Sequence, residues 1–157
     1  MSTLELFKTI QSSDFSRYIG GQNHLFGAFY QLIHIVGLVM VLSSIILLSL
    51  RVLGGGVRQQ SLRQITQSTS WLIWVGLALL AFSGLLIFIP AATNYYPNSV
   101  FWSKFVLLAL ALFLHNSLYQ GIGKSDEEPS IVAKLAATFS LVLWFSVAFA
   151  GRFIGFV

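Results

Sequence analysis

The chain has 157 residues, 56% of them hydrophobic and only 9% charged, and its mean hydropathy is +0.81. A water-soluble fold carries about 25% charged residues, so an ordinary soluble domain is excluded and the outside of this protein is itself apolar. The net charge of +4 comes from cations scattered between apolar segments, which suits anionic lipid headgroups and not nucleic acid, and zero cysteines exclude disulfides, thiolate nucleophiles and Cys-held metals.

At ~20 residues per crossing, this length allows about four membrane spans and no separate soluble domain. Residues 1–21 place Leu4, Phe7 and Ile10 at helical spacing, with Glu5, Lys8, Asp14 and Arg17 toward water. That pattern predicts a short amphipathic helix at the membrane interface. The first crossing runs over 27–50 and is closed by Arg51 and the Gly54-Gly55-Gly56 run. A polar loop with Arg51, Arg58 and Arg63 follows. Ser68, Thr69 and Ser70 offer N-caps for the second crossing, 71–89, which Pro90 closes. Tyr95 and Tyr96 sit at headgroup depth, and Phe101 with Trp102 opens the third crossing, 100–120, which ends at Gly121 and Gly123. Asp126, Glu127, Glu128 and Pro129 suit the amino end of the fourth crossing, 129–151.

Four crossings with short or polar connectors predict an all-α integral-membrane protein, an up-down four-helix bundle in one transmembrane domain with both termini on one side. The side of the first and third loops carries Arg51, Arg58, Arg63, Lys124 and Lys134, and the other side Lys8, Arg17, Lys104 and Arg152. Positive charge gathers inside, so the first loop is expected in the cytoplasm and the termini in the periplasm.

Ionisable groups at membrane depth are costly and therefore point to function. His34 and His115 are such groups. Gly27 precedes His34 by seven residues and Gly37 follows it by three, so all three share a face. The space beside that histidine admits a flat macrocycle with the imidazole as axial ligand to haem iron, or equally a neighbouring helix. Lys104 precedes His115 by eleven residues on nearly the same stripe. It would meet a haem propionate or simply snorkel to the interface. Parallel first and third helices put the two histidines ~12 Å apart in depth at ~1.5 Å per residue. One haem between them would need helix tilt or sliding; two haems, a site shared across a dimer, or single-histidine ligation are the other arrangements. His24 precedes the span and reads as interfacial. No Asp or Glu falls inside a predicted span, which disfavours a proton-coupled transporter, and Met1 and Met40 provide no copper path.

Three stretches, FYQLIHIVGLVMVLSSIILLSLRVLG, SGLLIF followed by FWSKFVLLALAL, and SLVLWFSVAFAGRFIG, resemble an uncharacterised family of small four-helix bacterial inner-membrane proteins. This is a domain-of-unknown-function family whose architecture looks like cytochrome-b-type and copper-resistance-D-like bundles. The resemblance covers nearly the whole chain and carries His34, Gly37, Arg51, Gly84, Lys104, Trp144, Gly151 and Arg152, with either His115 or Asn116 in the motif. The family's Asp before the Leu-Arg pair is Ser49 here, which removes an ion pair from that place. The resemblance implies a bacterial inner-membrane location and assigns no activity.

The resulting expectation is a membrane b-type cytochrome-like protein, an electron carrier or redox-partner subunit. Its haem b would be ligated by His34 and His115, near Gly27 and Gly37, with Arg51, Lys104 or Arg152 at the propionates. The competing expectation is a cofactor-free structural or accessory subunit, and a small-solute or metal transporter ranks third. Glycine-bearing faces suggest a homo-oligomer or a partner membrane subunit.

Overall fold

The structure, a computed structural model, describes residues 2–56, 59–122 and 128–156, with the side chains of 119–122 set aside. Arg58, Gly123, Lys124, Asp126 and Glu127 therefore lie outside the described residues. The elements are α1 (Thr3–Ser12), α2 (Asp14–Gly20), α3 (His24–Leu53), α4 (Leu62–Phe88), α5 (Ala92–Tyr95), α6 (Ser99–Ile122) and α7 (Ile131–Phe153), with short 3-10 turns at Ile89–Ala91 and Ile154–Phe156. α3, α4, α6 and α7 lie in four segments long and apolar enough to cross a membrane. No more than 33% of any such apolar window is buried within the chain. The remaining apolar surface is matched by lipid and not by water.

Helix ends differ from the pattern read in the sequence, for reasons of capping. α4 begins at Leu62, nine residues before the apolar run, because Ser61 and Gln64 form a reciprocal capping box. Ser68 and Thr69 are thus inside the helix, where their hydroxyls donate back to the Ile65 carbonyl at 3.1 and 2.8 Å. α7 begins after Ser130, whose hydroxyl accepts from Ala133 N–H, so Pro129 precedes the helix instead of occupying its first turn. Asn23 caps α3, which makes His24 its first residue. Gly54, with φ 78°, ends α3 in the left-handed conformation that glycine adopts without strain. α4 stops just before Pro90, which continues as a 3-10 turn into α5.

The amino-terminal segment is two helices, because Ser13 ends α1 and caps α2. It is tied to the bundle as well as lying at its end. Gln11 Oε1 accepts from both Thr93 N–H and Thr93 Oγ1, at 2.7 and 2.6 Å. The Phe7 ring meets Phe88 and Tyr96 edge-on at 5.3 and 5.6 Å.

In the bundle α3 packs most extensively on α4 and α6 on α7; α7 also packs on α3, while α4 and α6 approach sparsely. The α3–α4 contact is close because two glycines face each other. A Cβ on Gly37 would lie 2.8 Å from the Gly76 carbonyl oxygen, and one on Gly76 would lie 2.9 Å from that of Gly37. Three apolar clusters stack along the bundle: Leu48, Val52, Leu62, Ile65, Leu118 and Ala137 at the loop end, Val41, Ile45, Ile73, Ala111, Trp144 and Val147 in the middle, and Phe7, Ala92 and Phe101 at the terminus end.

Candidate functional site

On each of the four long helices, one or two residues of the resemblance motif fall between the middle and terminus-end clusters. They are His34 on α3, Gly84 on α4, Lys104 on α6 and Gly151 on α7, and Ser83 joins them. This layer is polar where its neighbours above and below are apolar.

Ser83 explains how the imidazole is held. Its hydroxyl donates to the Leu79 carbonyl at 2.5 Å, the i−4 bond common for serine in apolar helices. That uses its single proton, so across the 2.9 Å contact between His34 Nδ1 and Ser83 Oγ the ring nitrogen donates. The Leu80 backbone is a second hydrogen-bond partner of the ring, so the imidazole is held against α4 by Ser83 and Leu80 together. Gly84 leaves room for the ring: a Cβ there would lie 3.4 Å from His34 Cε1.

Lys104 runs across Gly151 instead of leaving the bundle. An added Cβ at Gly151 would be 3.4 Å from Lys104 Nζ and 3.5 Å from Cε. The ammonium is close enough to act electrostatically on the His34 ring. Among the described residues it has no carboxylate partner, since the one ion pair is Arg17 with Asp14, at 2.6 Å and well exposed. A half-buried cation without a carboxylate partner among the described residues, in the same layer as an imidazole, is suited to an anionic ligand.

The remaining candidate residues are distributed elsewhere. His115 is buried on α6 and its ring meets Trp144 edge-on at 6.5 Å. It lies eleven residues beyond Lys104, about 16 Å along the helix. Trp144 is 1% exposed, and its indole N–H finds no acceptor among the described residues. Gly37 is filled by α4, as described above. Gly27 is exposed and an added Cβ would touch nothing within 4 Å. Arg51 is seventeen residues from His34, at the opposite end of α3, where its Nε donates to the Gln60 carbonyl at 2.8 Å. Arg152 places its guanidinium 4.8 Å from the Phe156 ring centroid, a cation–π contact.

Haem b, the group the sequence suggested, fits this arrangement in part. A single haem ligated by His34 and His115 together does not fit, because His115 lies about 16 Å along α6 from the level of Lys104 and His34. His34 alone fits by donor chemistry: metal-ligating histidines donate their second ring N–H to a fixed acceptor, and Ser83 is that acceptor. Of the cations considered for a propionate, Lys104 lies in the His34 layer, whereas Arg51 lies at the opposite end of α3. Among the described residues, no group of three or more His, Cys, Asp or Glu side chains gathers to hold a bare metal ion.

The cation of this layer and the seat of its histidine were only partly legible. The partnership of His34 with Ser83 spans 49 residues, and no local pattern announces it. One signal was available: Gly76 and Ser83 are seven residues apart on α4, as a helix stripe requires, and face Gly37 and His34.

A model of a family of unknown function matches residues 7–157. No curated protein and no solved structure matches the chain.

Proposed function

Because the chain belongs to the family of unknown function DUF6644, whose description carries no activity, we propose a function from its own side chains: a haem-binding membrane protein of b-type-cytochrome character, an electron carrier or redox-partner subunit of the bacterial inner membrane. The observation that supports this reading is the His34 ring held by Ser83, in one layer with a Lys104 ammonium that has no acid to pair with among the described residues. His34 would supply the nitrogen ligand, with its ring oriented by Ser83. Lys104 would neutralise a propionate, and Gly84 and Gly151 keep side chains out of the space that the ring and the ammonium use. A bound haem b supplies one-electron transfer. The apolar clusters on either side of the layer would lower its dielectric, which strengthens the charge interaction at Lys104.

The competing reading, a cofactor-free accessory subunit, is favoured by one specific observation. The middle of the bundle is filled by Trp144, Ile45, Val41 and Ile73, each at most 2% exposed, and by the Gly37–Gly76 contact. Haem titration of the purified chain separates the two. The haem reading expects His34→Ala to abolish the spectral change and His115→Ala to preserve it. Equal binding by wild type and His34→Ala would contradict it.

A further inference from the structure

The end of the bundle away from the termini holds a second polar feature that the His34 layer does not use. A cleft of about 810 Å³ opens between the last turn of α3 and the first turns of α4 and α7. Its size is that of a small-molecule site, larger than a bare ion needs. Three cations line it from three different helices, Arg51 of α3, Arg63 of α4 and Lys134 of α7, and a single described carboxylate, Glu128, faces them. Among the described residues none of the three forms an ion pair with Glu128, and the side chains of Arg63 and Lys134 make no hydrogen bond. Arg51 uses only its Nε, on the Gln60 carbonyl, which steadies the guanidinium and leaves its outer nitrogens free.

The fold holds these groups apart from each other's neutralising partners. Ser61 and Gln64 spend their side chains on the cap of α4, so the polar wall left for a ligand is Gln67, one turn on. The amino ends of α4 and α7 open toward the same space and add positive potential. Beneath lies the apolar cluster of Leu48, Val52, Leu62 and Ile65, which puts the cleft where the hydrocarbon layer gives way to headgroups.

We propose that this cleft is a binding site for a phosphate-bearing anion. The planar guanidinium forks of Arg51 and Arg63 and the Lys134 ammonium take the phosphoryl oxygens. Glu128 accepts from a hydroxyl or amine on the group that the phosphate carries. The ligand is therefore a phosphoester with a donor-bearing substituent, supplied either by an anionic phospholipid headgroup or by a soluble phosphate compound.

The test uses the purified full-length chain. In one arm, retention of phosphatidylglycerol is compared with phosphatidylcholine by native mass spectrometry; in the other, glycerol phosphate is titrated against thermal unfolding in a zwitterionic detergent. Selective retention of phosphatidylglycerol assigns the lipid source, and stabilisation by glycerol phosphate assigns the soluble one. In either arm Arg63→Gln and Lys134→Gln each weaken binding about fivefold, as expected for one surface cation against an anionic phosphate. Wild-type binding itself weakens when salt is raised about tenfold, a readout that stands even where a variant fails to fold. Equal retention of the two lipids together with no response to glycerol phosphate overturns the proposal, and so does binding indifferent to salt.

Discussion

His34 owes its position to a chain of two hydrogen bonds, from its own Nδ1 to Ser83 and from Ser83 to the Leu79 carbonyl. In hydrocarbon such a chain is worth keeping intact, because an imidazole N–H left without an acceptor carries its full desolvation cost. Ser83→Ala removes the acceptor while leaving the histidine in place. Haem titration of that variant is expected to show affinity about 10- to 100-fold below wild type, and unchanged affinity would mean that the serine does not orient the ring. The two histidines were visible in the sequence as costly groups at membrane depth. The partners that set them apart were not, because these come from other helices: Ser83, 49 residues away, for one and Trp144, edge-on, for the other.

Helices were predicted from their apolar runs, and that choice located all four long ones while misplacing some of their ends. The apolar run of α4 starts at Trp71, yet Ser61 and Gln64 start the helix at Leu62 through a motif readable from four letters, Ser-Leu-Arg-Gln. Backbone hydrogen bonding does not require apolar side chains, so the first two and a half turns of α4 carry no apolar run. Ser61→Ala is expected to lower stability by about 1 kcal/mol, and Ser70→Ala to leave it within about 0.5 kcal/mol, in thermal unfolding of the detergent-solubilised chain; the reverse order would restore the later helix start. The α3–α4 pair offers a sharper case. A methyl group on Gly76 would sit 2.8 Å from Val41 Cγ2 and 2.9 Å from the Gly37 oxygen, and the backbone member of that pair has nowhere to move. Gly76→Ala should therefore cost about 1–3 kcal/mol by forcing the two helices apart, and a variant that unfolds with wild type would remove glycine contact as the reason for their close approach.

As a whole the molecule is a stack of alternating layers: an aromatic cap carrying α1, the His34–Lys104 layer, an apolar middle, a second apolar cluster, and the cationic cleft. Composition and hydropathy sufficed for the bundle, since 56% apolar residues in 157 leave few alternatives. They did not suffice for the layers, which arise from antiparallel helices bringing distant residues to one level. The unequal ends also bear on orientation. Arg51, Arg63 and Lys134 gather at the loop end, for which the positive-inside tendency predicts a cytoplasmic location. The chain has no cysteine, so single cysteines introduced as Ser12→Cys and Gln59→Cys report sidedness without background. In intact cells a membrane-impermeant thiol reagent is expected to label the first and not the second, and labelling of Gln59→Cys alone would reverse the orientation.

Whether the His34 layer receives a haem is decided by one spectrum. The direct measurement is the absorbance spectrum of the full-length chain purified from haem-sufficient cells, before and after dithionite. A Soret band with a reduced alpha band, both missing from His34→Ala and both kept in His115→Ala, is the predicted result. A colourless wild-type protein that stays colourless when haem is supplied would contradict the account.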